Sequence, residues 1–157
     1  MTPNTMTDQL PILSHIPAIR EALLTHKKAV VAAAPGAGKT TLVPLKLIGE
    51  PYLEGKTILM LEPRRLAARM AAMRMADLFG EAPGKTVGYQ IRHERVAGPS
   101  TRIIVMTEGI LTRKIQNDPE LSDVGLVIFD EFHERNLHSD LGLALCLEAA
   151  DVLRPDL

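Results

Sequence analysis

The sequence predicts an α/β fold, a mostly parallel sheet with helices on both faces. Three observations predict it. Short apolar runs alternate along the chain with segments of helical periodicity, the pattern of repeated strand–helix–strand units. The apolar run Ala29-Val30-Val31-Ala32 leads directly into a glycine-rich segment, Ala33 to Thr41. A second continuous apolar run, Gly125-Leu126-Val127-Ile128-Phe129, ends in Asp130-Glu131, as a strand buried on both faces of a parallel sheet would.

Taken in order, Ile16 to Leu24 reads as an opening amphipathic helix with Pro17 tolerated in its first turn. Ala29 to Ala32 is expected as a buried strand, and Lys39 to Ile48 as the helix after it. Thr57 to Leu61 is the next strand, stopped by Glu62-Pro63. An alanine- and methionine-rich helix runs from Arg64 to Phe79 and stops at Gly80. Its Met70 and Met73, at helical spacing, are expected as core filler. Val87 to Ile91 and Arg102 to Met106 are further strands. Thr107 to Gln116 follows as a helix, and Ser139 to Leu153 is the last one, with Cys146 a buried thiol. Glycine and proline near Glu81–Lys85 and Val96–Ser100 mark turns. No internal repeat or low-complexity tract interrupts the order.

At 157 residues, 46% hydrophobic and only 3% aromatic, the chain suits one domain with an aliphatic core. A net charge of −1 excludes a globally basic nucleic-acid binder, so any such surface has to be local. The opening Met1-Thr2-Pro3-Asn4-Thr5-Met6 lacks the basic start and apolar stretch of a secretory signal. No apolar stretch approaches the roughly 20 residues of a membrane-spanning helix. A single cysteine forbids an internal disulfide. These features fit a cytoplasmic enzyme with no membrane partner.

The glycine-rich segment carries the first chemistry. Pro35-Gly36-Ala37-Gly38 lets the backbone curl so that successive N–H groups face an anion. The helix opening at Lys39 adds its positive end. Lys39 can reach β- and γ-phosphates, and the Thr40 hydroxyl, followed by Thr41, can ligate Mg²⁺. The pattern G-x-x-x-x-G-K-[ST] has Ala33 in place of its first glycine; the positions nearest the phosphates are intact. Alone, the segment could be an ordinary glycine-rich turn, and Asp130-Glu131 alone could be a solvated acidic turn. Together they describe a nucleoside-triphosphate hydrolase: Asp130 holds Mg²⁺, largely through water, and Glu131 orients and deprotonates the attacking water.

His133 and His138 suggest a zinc-binding helix at first sight, but they lie five apart where a shared helix face needs four. Arg64 and Arg65 follow the Thr57–Leu61 strand, where a helix start and two guanidinium groups could hold a nucleic-acid phosphate or could be a solvated helix end. Thr107-Glu108-Gly109 offers a hydroxyl and backbone N–H groups after another strand, on the same sheet edge. Arg92, Arg95 and Arg102 could extend this patch or be ordinary surface charges.

In order, Gly36-Ala37-Gly38-Lys39-Thr40-Thr41, Pro63-Arg64-Arg65-Leu66-Ala67-Ala68-Arg69, Thr107-Glu108-Gly109-Ile110-Leu111 and Asp130-Glu131-Phe132-His133-Glu134-Arg135 resemble the first motor domain of DEAH-box superfamily 2 helicases. Pro35, and Phe132 where alanine is usual, are similar to the bacterial HrpB-type branch. The resemblance runs from Leu10 to Leu157. It implies a RecA-like P-loop NTPase domain that uses ATP and Mg²⁺. Lys39 and Thr40 would be the phosphate and metal contacts of motif I, with Pro35 to Thr41 lining the nucleotide. Asp130 and Glu131 would be the metal-binding and catalytic carboxylates of motif II. Arg64, Arg65, Thr107 and Gly109 would take the nucleic-acid-contacting positions of motifs Ia and Ib. His133 would couple the nucleotide site to motif III, and Arg74 would stack on the adenine.

The same resemblance implies a motif III and a second RecA-like domain carrying arginine fingers, neither of which is in these 157 residues. Residues 1–157 are therefore expected to be one ATP-binding half of a two-domain motor, binding nucleotide weakly and scarcely turning it over. The reading is an ATP-dependent RNA helicase acting on single-stranded RNA. The alternatives are a DNA-directed translocase of the same superfamily, a non-catalytic nucleotide-binding module, and an unrelated P-loop kinase or GTPase. The intact Glu131 argues against the module, and the Pro-Arg-Arg and Thr-Glu-Gly segments would be unexplained in a kinase or GTPase.

Overall fold

A computed structural model describes residues 10–157, which divide into two compact units, 10–47 and Ile48–Leu157. In the first unit a 3-10 turn at Pro11–His15 runs into α1 (Ile16–His26), and α2 spans Lys39–Leu47 with Pro44 inside it. Pro17 occupies the first turn of α1, where its missing N–H costs nothing, and Lys27 closes the helix in the left-handed region.

Between these helices the expected buried strand is absent. Residues 27–34 form no strand, and Val30 is 99% exposed. A strand is buried only where neighbours take up its N–H and C=O groups. The first unit has no strand among its described residues to do so, and apolar composition alone cannot substitute.

The second unit is built on a five-stranded sheet of order β3-β2-β4-β1-β5. Its strands are β1 (Thr57–Glu62), β2 (Val87–Ile91), β3 (Glu94–Val96), β4 (Ile103–Thr107) and β5 (Val124–Phe129). β1 pairs in parallel with β4 and β5, and β2 in parallel with β4. Only the β2–β3 hairpin is antiparallel. β3 was not expected from sequence: it is three residues long with two charges, and its Arg92-His93 turn lacks the usual glycine, His93 taking φ +66° instead.

Alternation along the strands sends two sets of side chains to two faces. Leu59, Leu61, Ile104, Met106, Leu111, Ile115, Leu121, Val124 and Cys146 form the core beneath α4 (Glu108–Asn117) and α5 (Leu137–Val152). Burial pushes the Cys146 thiol up to about 12, so it is inert packing. α3 (Arg65–Leu78) packs on β1, β2 and β4, with the Arg69 guanidinium over the Tyr89 ring at 5.9 Å.

Two packing expectations need correction. The buried face of α3 is Ala68, Ala71, Ala72, Met75 and Ala76, whose small side chains let the helix approach the sheet. Met70 and Met73 share a spacing with Leu66 that puts all three on the opposite, exposed face. β5, expected to be covered on both faces, is an edge strand whose residues beyond Gly125 are only half-buried, because it pairs with β1 alone.

Arg154 fastens the end of α5. The residue is 9% exposed, and its guanidinium donates to the carbonyls of Glu120, Leu121 and Val124 and, bidentately at 2.8 Å, to Asp156. Arg154 first, with Lys56 at 3.2 Å, holds the Asp156 carboxyl well below its usual range.

Two measurements check this packing. A Cβ on Gly88 would lie 2.2 Å from the Val96 carbonyl oxygen, which is backbone and cannot swing aside. Gly88→Ala is expected to lower stability by about 1–3 kcal/mol in urea titrations, the usual cost of overpacking. For Asp156 the native carboxyl binds its proton later than the unfolded one, so its contribution is complete above the ordinary value of 3.8 and is lost as pH falls below it. Asp156→Asn should unfold with a shallower acid dependence than the parent. Equal slopes between about pH 4 and pH 2 would show that the latch carries no stability.

Candidate nucleotide and nucleic-acid site

In the first unit the glycine-rich loop is shaped by its two glycines. Gly36 (φ +78°) and Gly38 (φ +92°) occupy the left-handed region that other residues avoid. A Cβ added at Gly38 would also crowd side-chain methyls, at 2.9 Å from Leu10 Cδ1 and 3.2 Å from Ile12 Cγ2 and Leu42 Cδ1. Ala37 is buried; its N–H donates to the Ala34 carbonyl and its own carbonyl accepts the Ile12 N–H, each at 3.2 Å. α2 begins at Lys39, so Lys39, Thr40 and Thr41 form its first turn, all half-buried. A cavity of about 290 Å³ lies against the loop, between Ala32–Ala37 and the Pro11–His15 turn.

In the second unit the parallel register brings three strand ends to one edge. Glu62 ends β1 opposite Thr107 at the end of β4, and the Asp130 N–H donates to the Leu61 carbonyl at 3.0 Å. Arg64, the N-cap of α3, and Arg65 are exposed just beyond β1. Thr107 caps α4, and Gly109 is exposed in its first turn with open space beside it. Asp130-Glu131, Arg64-Arg65 and Thr107–Gly109 therefore stand together at the carboxyl edge, where open α/β sheets bind ligands.

The turn after β5 is closely held. Asp130 Oδ1 accepts the Glu131 N–H at 2.9 Å, and Glu131 sits at φ +50° before the 3-10 turn Phe132–Glu134. His133 Nε2 lies 3.2 Å from Glu131 Oε2, so it faces the carboxylate directly. It stands in the 3-10 turn while His138 belongs to α5, so the two histidines share no helix face. Phe132 packs edge-on against Phe129 and under the Arg135 guanidinium. Arg64 Nη2 reaches Glu134 Oε1 at 2.7 Å.

Glu62 was missed at the sequence level, where it was only a strand stop. It is 3% exposed. Burial first, then the charge of Asp130 and a hydrogen bond shared with it, and then Glu131 and Glu134, push its carboxyl up to about 8. It is therefore mostly protonated near pH 7. The signal that could have found it is its position, one residue before Pro63 at the end of a central strand.

The other basic residues separate. Arg92 and Arg95 lie on the β2–β3 hairpin, near the same edge, with Arg95 on Gln90 Oε1 and Arg92 on His93. Arg102 precedes β4 at the opposite edge, where it binds the Leu53 and Lys56 carbonyls, so it is a structural clamp and no part of the patch. Arg74 is exposed on α3 and paired with Asp77 at 3.2 Å.

Residues 15–143 match the DEAD/DEAH box helicase family. The chain is 53% identical over 148 residues to the ATP-dependent RNA helicase HrpB of Escherichia coli (strain K12), covering 94% of this chain and 18% of that protein. It is 40% identical over 150 residues to the ATP-dependent RNA helicase DHX29 of Mus musculus, covering 11% of it. The crystal structure of Escherichia coli DEAH/RHA helicase HrpB superposes with a TM-score of 0.91 at 52% identity, over 95% of this chain and 19% of that one. The chain thus spans less than a fifth of the length of these relatives. Its fold is the RecA-like P-loop NTPase domain, α/β with a mostly parallel sheet and helices on both faces. The chain belongs to the DEAD/DEAH box helicase family.

Proposed function

We propose that this chain is the first RecA-like domain of an ATP-dependent RNA helicase, an RNA-stimulated ATPase that remodels RNA. The observation that carries the reading is the gathering of Asp130-Glu131, Arg64-Arg65 and Thr107–Gly109 at one sheet edge of the second unit. The first unit separately contributes a glycine loop with two left-handed glycines. The names of the relatives support the choice of RNA. A cytoplasmic location fits the single, buried, unpaired cysteine.

In this reading the backbone from Pro35 to Thr41 cradles the phosphates of ATP and Lys39 neutralises them. The donors proposed for Mg²⁺, the Thr40 hydroxyl and the Asp130 carboxylate, are hard oxygens that suit it. When bound, the ion neutralises charge developing on the phosphates. Glu131 accepts the proton of the attacking water, and His133, 3.2 Å away, couples it to motif III. Arg64 and Arg65 hold RNA phosphates as charged donors, with the Thr107 hydroxyl and Gly109 N–H beside them. Arg74 is assigned to the adenine face. A second RecA-like domain supplies the arginine fingers.

Two outcomes are expected. In the full-length protein, single-stranded RNA should stimulate steady-state ATP hydrolysis, and Glu131→Gln should remove about 10²-fold or more of the rate, the contribution of a general base. Absence of turnover with RNA would sink the reading, and equal stimulation by single-stranded DNA would widen the substrate to nucleic acid in general. Residues 1–157 alone should hydrolyse ATP about 10³-fold more slowly or worse, because arginine fingers are missing. Robust Lys39-dependent turnover by that piece would contradict the assignment of half a motor.

A further inference from the structure

Glu108 has no part in the roles assigned above, yet it is among the most buried charged residues. It is 6% exposed and is the first residue of α4, directly after Thr107. Ser139 Oγ donates to its Oε1, and Asn136 Nδ2 reaches the same oxygen at 3.5 Å. Asn136 Nδ2 also donates to Ser139 Oγ at 2.7 Å, and Asn136 Oδ1 accepts the Ser139 N–H at 2.9 Å. The ring joins the N-terminus of α4 to the N-cap of α5. A glutamate serving the helix dipole alone would do so equally well in solvent. Burying a carboxylate is costly unless it is hydrogen-bonded, so the ring does more than cap a helix.

Each end of this ring adjoins a group already assigned a role. Thr107 and Gly109 flank Glu108. Asn136 follows Glu131 through a turn with little slack. Glu134 N–H donates to the Glu131 carbonyl at 2.9 Å, and Arg135 N–H to the Phe132 carbonyl at 3.2 Å. The Arg135 guanidinium is held to Asp140 on α5 at 3.0 and 3.2 Å. The Arg64–Glu134 pair runs in parallel, but Arg64 is 71% exposed and such a pair carries little.

We propose that Glu108 is a positioning residue that, through Ser139 and Asn136, transmits occupancy of the nucleic-acid surface at Thr107–Gly109 to the Glu131 carboxylate. The proposal rests on the function proposed above. A phosphate held by Thr107 and the Gly109 N–H restrains the first turn of α4. The ring carries that restraint to the α5 cap, and the closed turn between the cap and Glu131 delivers it to the carboxylate. The resulting coupling is a free energy shared between two sites, so it has to appear in stimulation and not in basal chemistry.

The test uses the full-length protein with Ser139→Ala, which removes the joining hydroxyl, and Ser139→Thr, which keeps it. ATP hydrolysis is measured with and without a single-stranded oligouridylate, together with binding of the same RNA without nucleotide. Ser139→Ala should hold the basal rate and RNA affinity within about twofold while losing about fivefold or more of the stimulation, the lower end of typical couplings. Ser139→Thr should restore it. If alanine prevents folding, Ser139→Cys keeps the volume with only a weak donor and should show the same loss. Undiminished stimulation in the folded variant overturns the proposal, as does an equal fall of basal and stimulated rates, which marks a purely structural role. A wild-type protein that RNA does not stimulate overturns the functional reading and the coupling together. A stimulated wild type with unaffected variants overturns the coupling alone.

Discussion

β1 is paired on both sides, with β4 from Ile58↔Ile103 to Glu62↔Thr107 and with β5 from Ile58↔Leu126 to Leu61↔Phe129. Both pairings are parallel, so three strands must end at the same edge and each must return through a helix on a sheet face. Ile58 to Leu61 are at most 1% exposed, which fixes the register, since a one-residue slip would drive one face of apolar side chains to the other. The positions of Arg64, Thr107 and Asp130 follow from that register. None of them needs a contact with the others to be brought to one edge.

The same centrality sets the electrostatics of the edge. A carboxyl at the end of an edge strand would be solvated and ionised, but Glu62 ends a central strand and is buried beside Asp130. Burial first, and the neighbouring carboxylates second, push the Glu62 carboxyl up to about 8, so it holds its proton near pH 7. The charges of Asp130, Glu131 and Glu134 add to the burial that raises the Glu62 carboxyl.

How much of this was legible in the sequence depends on whether the signal was local. The strands at Thr57, Val87, Ile103 and Val124 and the helices between them were legible because hydrophobic periodicity and glycine or proline stops are local features. The glycine loop, Asp130-Glu131 and the Arg64 and Thr107 strand ends were legible because a motif fixes residue types at fixed spacing. Ala29–Ala32 failed as a strand because pairing depends on neighbours that composition does not specify. Met70 and Met73 failed because periodicity gives a face but not which face is inward; the alanines, which allow close approach, took the sheet side. Arg102 and Glu62 were misjudged for the same reason, since their roles come from carbonyls and carboxylates distant in sequence.

Glu131 and Arg135 bracket the turn after β5 with φ of +50° and +42°, conformations that cost non-glycine residues about 1–3 kcal/mol each. Such residues persist only where their surroundings over-determine them. Asp130 Oδ1 holds the Glu131 N–H, Phe132 is wedged between Phe129 and the Arg135 guanidinium, and Asp140 grips Arg135 from α5. If β5 simply continued, its pleat would alternate Asp130 and Glu131 to opposite faces of the sheet. The left-handed step at Glu131 breaks that alternation and brings its carboxylate to His133. The left-handed step therefore sets where the Glu131 carboxylate points relative to Asp130. Because Asp140 on α5 grips Arg135 at the far end of this turn, the aim of Glu131 depends on α5 as well as on the strand that carries it.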